Sequence, residues 1–322
     1  MAPQRVIGID AGGTKLLGGV VDADLVVHHR VHRRILGLDQ AELVETIVDA
    51  VEEAHAAAPD VAAVGFGIPA LVRPETGSVM VSNHLPLDRL PFGALMSERL
   101  DMQVAVDNDS NVAMLAEHRA GAARGADDAV MLTLGTGIGG GLLLGGKVYR
   151  GSAGAAAELG HIVVDPDGPD CPGDCPGRGC LEAFASGNAI GRAGEEAARH
   201  SPESSLGKAL AQGRDITGGL VAELAHDGDE PAIEVLAEAG RWLGLGIVTL
   251  VNALNPELVI VGGGAGQAGD LLLGPARDVL SERGLPPNRE LVRLVPAHFG
   301  SEAGMVGAAL IALDLKKKEP AG

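Results

Sequence analysis

Aromatic side chains are nearly missing from this chain: one Trp, one Tyr and four Phe among 322 residues. So sparse a set offers no ring platform for stacking polysaccharides or single-stranded bases. Positive charge is short as well, with 25 Lys and Arg against 43 Asp and Glu, a formal net charge of −18. Nucleic acid and anionic membranes both need a basic face, so neither is expected as a partner. No apolar run reaches the ~20 residues that span a bilayer. The chain enters its first apolar strand at Val6 without a signal-peptide pattern, so a cytoplasmic location is expected. A small, polar ligand fits this composition best.

Cysteine is scarce too. The three that exist, Cys171, Cys175 and Cys180, fall within ten residues of one another. An odd, clustered set in a reducing compartment points to metal rather than to a disulfide framework. What the chain has in abundance is glycine, 48 residues gathered in a few runs. The length suffices for two domains, since single cores rarely grow past roughly 250–300 residues.

Apolar spacing alternates between strand and helix periods, which predicts an α/β architecture. Val6–Asp10, Leu16–Val21, Leu25–Arg33 and Val61–Gly67 read as strands, and Gln40–Ala57 as a helix. Val104–Val106 is a strand running into a helix over Asn108–Ala123. The opening strand–glycine turn–strand pattern then recurs at Ala129–Leu144, about 125 residues later, which reads as a duplicated unit. Two lobes are expected, 1–125 and 126–322, with a ligand cleft where they meet. Two unrelated glycine-rich hairpins would give the same local pattern.

Asp10, Gly12, Gly13, Thr14 and Lys15 close the first strand. Glycines let backbone N–H groups approach phosphate oxygens, while Thr14 adds a hydroxyl and Lys15 a point charge. Asp10 suits Mg²⁺, bound through water. The plainer reading is a hairpin with an Asp cap. Gly135, Thr136 and Gly137 form a second loop of this kind, and Gly262, Gly263 and Gly264 after a buried strand offer a third backbone approach, suited to adenosine. Neither of the first two loops has Walker or dinucleotide-fingerprint spacing.

Asp109 stands where a strand meets a helix, a junction that supplies catalytic groups in α/β proteins. It can accept a hydroxyl proton as a bond to phosphorus forms. It can equally be a helix N-cap, for which Asn and Asp are favoured. Further on, His161 with Cys171, Cys175 and Cys180 matches a closed Cys₃His structural zinc site, with free buried thiols as the alternative. Glu158 and Glu182 flank these ligands as acceptors for sugar hydroxyls, and the second nitrogen of His161 is available to a substrate.

Together these stretches resemble the ROK family of bacterial sugar kinases and repressors, most closely its glucokinases, over nearly the whole chain. The resemblance implies a two-lobed, actin-like ATPase fold (a duplicated ribonuclease H-like unit), with ATP as donor, Mg²⁺ and structural Zn²⁺. It implies Asp109 as general base, with Asn83, Asn108, Glu158, His161 and Glu182 on the sugar. Homodimers or homotetramers are the implied assembly. Two departures stand out. Three residues separate Cys171 from Cys175 where the family has one, and Ala70 follows Pro69 where relatives carry Gly.

Glucose is the first expectation for the acceptor. N-acetylmannosamine, N-acetylglucosamine and fructose kinases share most of these residues, and polyphosphate is an alternative donor. A sugar-responsive regulator of the same family would carry a helix-turn-helix before the first loop, which here starts at residue 10, and a more basic face. A zinc hydrolase would need an open metal position, which four protein ligands do not leave.

Overall fold

The computed structural model describes residues 4–82, 85–173 and 175–316. It divides into two compact units, the first made of Met1–Arg124, Val148–Ala157 and Glu302–Gly322, the second of Gly125–Lys147 and Glu158–Ser301. This differs from the expected two-way division in two segments, 148–157 and 302–322, which return to the first unit.

The first unit holds β1 (Arg5–Ala11), β2 (Lys15–Asp22), β3 (Val27–Arg34) and β4 (Ala63–Ile68). A short hairpin of β5 (Leu71–Arg73) and β6 (Ser78–Val81) and then β7 (Gln103–Asn108) follow. Its main sheet runs β3-β2-β1-β4-β7, antiparallel among the first three and parallel from β1 through β4 to β7. Helices α1 (Gln40–Ala57), α2 (Phe92–Leu100) and α3 (Asp109–Ala120) belong to it. A capping box starts α1: the Asp39 side chain accepts from the Glu42 N–H, and Glu42 accepts from the Asp39 N–H. Leu43, Val44, Ile47, Val48 and Val51 then recur at helical spacing and are buried in the core shared with Ile7, Ile9, Leu16 and Val20. Each such side chain contributes about 1.5–3 kcal/mol, so a charge at Ile47 would break this layer.

The second unit repeats the plan. Strands β8 (Ala129–Leu134), β9 (Ile138–Leu144), β10 (Lys147–Val148), β11 (Leu258–Gly262) and β12 (Arg293–Pro296) form a sheet in the order β10-β9-β8-β11-β12. Again the first hairpin is antiparallel, and β8, β11 and β12 are parallel. The matching strand orders make the two glycine hairpins equivalent parts of a duplicated fold. Its helices are α4 (Leu181–Ala185), α5 (Gly187–His200), α6 (Ser205–Ala211), α7 (Gly218–His226), α8 (Glu230–Leu254), α9 (Asp270–Arg283) and α10 (Asn288–Leu291).

The last element among the described residues is α11 (Ala303–Lys316), which packs on β1, β4 and α3 of the first unit. Met305, Val306, Ala308, Ala309, Leu310, Ala312 and Leu313 are all buried, so this helix is apolar on most sides and needs cover on most sides. That requirement explains its return to the first sheet. Among the described residues, no helix is long and apolar enough to cross a membrane.

Candidate active site

In the first unit the parallel strands bring their C-terminal ends together. Asp10 on β1 is in register with Gly67 on β4, and Gly67 with Asp107 on β7. Asp109 follows as the first residue of α3. Burial pushes the Asp10 carboxyl up to about 7; the Asp109 carboxylate adds to the rise and Lys15 opposes it. The first turn of α11 closes on the same carboxyl: a Cβ at Gly304 would lie 2.4 Å from Asp10 Oδ2. Any larger residue there would have to displace the Asp10 carboxyl.

The β1–β2 turn is held from within. The Gly12 N–H donates to the Lys15 carbonyl (3.0 Å), and the Ile35 N–H donates to the Thr14 carbonyl (3.1 Å). Thr14 and Lys15 stay exposed, and Gly12 and Gly13 half-exposed. The helix cap is Asn108, whose side chain accepts from the N–H groups of Ser110 (2.9 Å) and Asn111 (3.1 Å). Asp109 is thereby relieved of the capping role, although its Oδ1 accepts from the Ser110 N–H at 2.8 Å. Ala70 turns its carbonyl toward Asn108 Nδ2 at 3.4 Å. Asn83 lies outside the described residues.

Beneath this junction is a network that sequence reasoning missed. Asp107 Oδ2 accepts from Arg150 Nε (2.8 Å) and is paired with its Nη2 (2.6 Å). Asp107 Oδ1 accepts from the Asn108 N–H (2.8 Å) and Asn111 Nδ2 (3.2 Å). Arg150 thus ties the returning segment 148–157 to the strand end that carries Asn108 and Asp109. The run Asp107–Asn111 marked one side of the network; nothing in the sequence marked Arg150.

In the second unit, Gly135 and Thr136 are exposed at the β8–β9 turn. The Gly135 N–H donates to the Gly137 carbonyl (2.9 Å), and the Ile138 N–H donates to Glu182 Oε2 (2.7 Å). Glu182 is buried on α4. Gly262 is buried at the end of β11, and Gly263, at φ +80°, packs on the Leu134 backbone, leaving Gly264 as the exposed member of the third run.

Ligand atoms of His161, Cys171, Cys175 and Cys180 all lie within 4.8 Å of one another. A tetrahedral ion with bonds of about 2.0–2.3 Å needs ligand atoms roughly 3.5–3.8 Å apart, and Cys171 Sγ stands 3.4 Å from His161 Nδ1. The donor set and spacing fit zinc. The longer Cys171–Cys175 spacing does not exclude Cys171: its N–H donates to the Gly177 carbonyl (2.9 Å), and its Sγ belongs to the group of four ligand atoms within 4.8 Å of one another. Asp170 pairs with Arg178 at the surface. Burial pushes the Cys171 and Cys180 thiols up, and the neighbouring cysteines push Cys171 further. A bound cation reverses that preference by favouring thiolates. With Nδ1 on the cysteine side, Nε2 of His161 faces Glu158, 4.0 Å from its Oε2.

A duplicated mixed-sheet plan, with a glycine turn opening each half and carboxylates at the strand ends, defines the actin-like ATPase fold class. The chain belongs to the ROK family, whose model matches residues 6–315. It is 34% identical over 314 residues to the glucokinase of Streptomyces coelicolor, covering 95% of this chain and 96% of that one. A ROK family glucokinase from Streptomyces griseus, solved with glucose and AMPPNP, is 35% identical. It superposes with a TM-score of 0.86 over 96% of this chain and 99% of its own. A ROK family transcriptional regulator homologous to the E. coli MLC protein is 29% identical. Its TM-score is 0.85, over 98% of this chain and 79% of its own. Fold likeness alone therefore does not separate kinase from regulator; side-chain chemistry must.

Proposed function

We propose that this chain is an ATP-dependent hexose kinase with glucose as its preferred acceptor, transferring the γ-phosphoryl group to the sugar 6-hydroxyl. The observation that carries this reading is the placement of two carboxylates, Asp10 on the end of β1 and Asp109 at the start of α3, at the C-terminal end of the first sheet, where the charge of Asp109 raises the Asp10 pKa. Two carboxylates near one another at a strand end suit a divalent cation and a proton-accepting group. Glucokinase relatives that match over 95–96% of this chain support the same conclusion.

In this reading Asp109 accepts the proton of the sugar hydroxyl as the new O–P bond forms, a role that supplies about 10²–10⁴-fold in rate. Gly12, Gly13, Thr14 and Lys15, with Gly135, Thr136 and Gly137, cradle the phosphates. Gly262, Gly263 and Gly264 line the adenosine end, where Gly264 has the most room. Asp10 would hold Mg²⁺ through water, and the ion would spread charge on the transferred group. Asn83, Asn108, Glu158, His161 Nε2 and Glu182 hold sugar hydroxyls. His161 Nδ1, Cys171, Cys175 and Cys180 would hold Zn²⁺, whose closed tetrahedral set fixes the imidazole and leaves no position for a reactant.

We assign the protein to the cytoplasm, where ATP is supplied, and to a homodimer or homotetramer in keeping with the family resemblance. The test is a coupled ADP-release assay with ATP or polyphosphate across glucose, N-acetylmannosamine, N-acetylglucosamine and fructose. ATP-dependent turnover highest on glucose is expected. No turnover on any hexose would leave the regulator reading in its place.

A further inference from the structure

The carboxylate of Glu182 has two faces with different employment. Oε2 accepts from the Ile138 N–H at 2.7 Å, and the residue is only 6% exposed. Among the described residues no donor reaches Oε1. Gly137 is what allows the approach: a Cβ there would lie 2.2 Å from Oε2 and 2.9 Å from Cδ. Five residues after Glu182, the Gly187 N–H donates to the Gly135 carbonyl at 2.8 Å. One short segment, 182–187, thus grips the β8–β9 turn at both ends, at the Gly135 carbonyl and at the Ile138 amide.

Two consequences follow. The Ile138 N–H is spent on Glu182 and is not a phosphate donor, so the loop offers a ligand the amides of Thr136 and Gly137. Those amides are aimed by the grip that Glu182 maintains, and a loop whose end amide lost its acceptor would bury an unpaired N–H. We infer that Glu182 is a positioning residue for the second glycine loop as well as a sugar ligand, and that it couples the two substrates. A sugar hydroxyl donating to Oε1 fixes the carboxylate; the fixed carboxylate fixes the Ile138 amide; the ordered turn then binds phosphate more tightly. Binding of either substrate favours the other by the same factor. This rests on the kinase reading above, but adds a link that reading does not require.

The test measures the affinity of a non-hydrolysable ATP analogue with and without saturating glucose, in the wild type, Glu182→Gln, Glu182→Ala and Gly137→Ala. Amide exchange across residues 135–141 is followed in parallel. In the wild type, glucose should tighten the analogue by at least about fivefold, the lower end of ordinary coupling between sites, and slow exchange in the turn. Glu182→Ala should bring the coupling within twofold and speed exchange. Gly137→Ala, whose new methyl displaces the carboxylate, should do the same. Glu182→Gln keeps a carbonyl oxygen for the Ile138 N–H, so it should restore exchange to the sugar-free wild-type level without restoring coupling. A wild type without coupling, or a Glu182→Ala protein that keeps fivefold coupling or wild-type exchange, overturns the inference. An absence of hexose-dependent ADP release from the wild type instead sinks the kinase reading, whatever the exchange data show.

Discussion

Replacing Arg150 with Met removes the guanidinium from a carboxylate that cannot easily do without it. The Asp107 side chain is 10% exposed and that of Arg150 29%. Breaking a fully buried pair from one side costs about 3–5 kcal/mol, and an exposed pair about 0–1. The intermediate exposure of Arg150 sets the expected loss at about 2–3 kcal/mol, because Asp107 keeps only the Asn108 N–H and Asn111 Nδ2 as donors. For a unit of this size that is a fall of about 5–10 °C in Tm. The damage should reach chemistry as well. Asp107 holds the amide of Asn108, Asn108 caps α3, and Asp109 opens that helix, so kcat should fall and KM for the sugar rise, with KM for ATP nearly unchanged. Urea unfolding followed by circular dichroism gives the stability term, and steady-state kinetics gives the split. Asp107→Asn combined with Arg150→Met should recover much of the stability, since no uncompensated charge remains. A single variant that loses less than about 1 kcal/mol, or a double variant no more stable than the single, would refute the reasoning.

Further outcomes can be checked on the same protein. Ala157 sits at φ +68° immediately before Glu158; the left-handed region costs an L-residue roughly 1–2 kcal/mol, partly offset by glycine's freer unfolded state. Ala157→Gly should therefore stabilise the fold by about 0.5–1 kcal/mol, and a loss of stability in thermal melts would contradict the observed geometry. Chelation should release about one zinc per chain and weaken glucose binding, as read by metal analysis and calorimetry; a metal-free protein with full sugar affinity would defeat the zinc assignment. Asp10 gives a pH signature in the ligand-free, metal-free protein. Its folded pKa of about 7 lies above the unfolded 3.8, so the folded state holds the extra proton, and stability falls as pH rises through that window. Asp10→Asn should flatten that part of the curve, and an unchanged slope would remove Asp10 as its source.

Much of the fold was legible because the sequence writes it twice. Glycine turns after Asp10 and after Leu134 announced two equivalent hairpins; the strand order the two sheets share came from the structure. The bounds of α1 were readable from its apolar spacing, and the structure adds the Asp39–Glu42 capping pair that starts it. The break at Ser186 between α4 and α5 was not, because a continuous apolar pattern masks a cap that forms in place: Ser186 accepts from the Ala189 N–H. Nor was the return of 148–157 and α11 to the first unit, since strand and helix periods carry no information about which sheet an element covers. At the site, residue types pointed to Asp109, Glu182 and the four candidate metal ligands. What they lacked was the division of labour: only geometry shows that Asn108 takes the cap, that Glu182 spends one oxygen on a backbone amide, and that Arg150 supports the junction from a distant stretch of chain.

The central claim, that Asp109 takes the proton during phosphoryl transfer from ATP to a hexose, is tested most directly by single-turnover phosphorylation of glucose by Asp109→Asn, alongside its glucose affinity. The account predicts a loss of at least about 10²-fold in rate with glucose binding nearly unchanged. A variant that keeps more than about a tenth of the wild-type rate would contradict it.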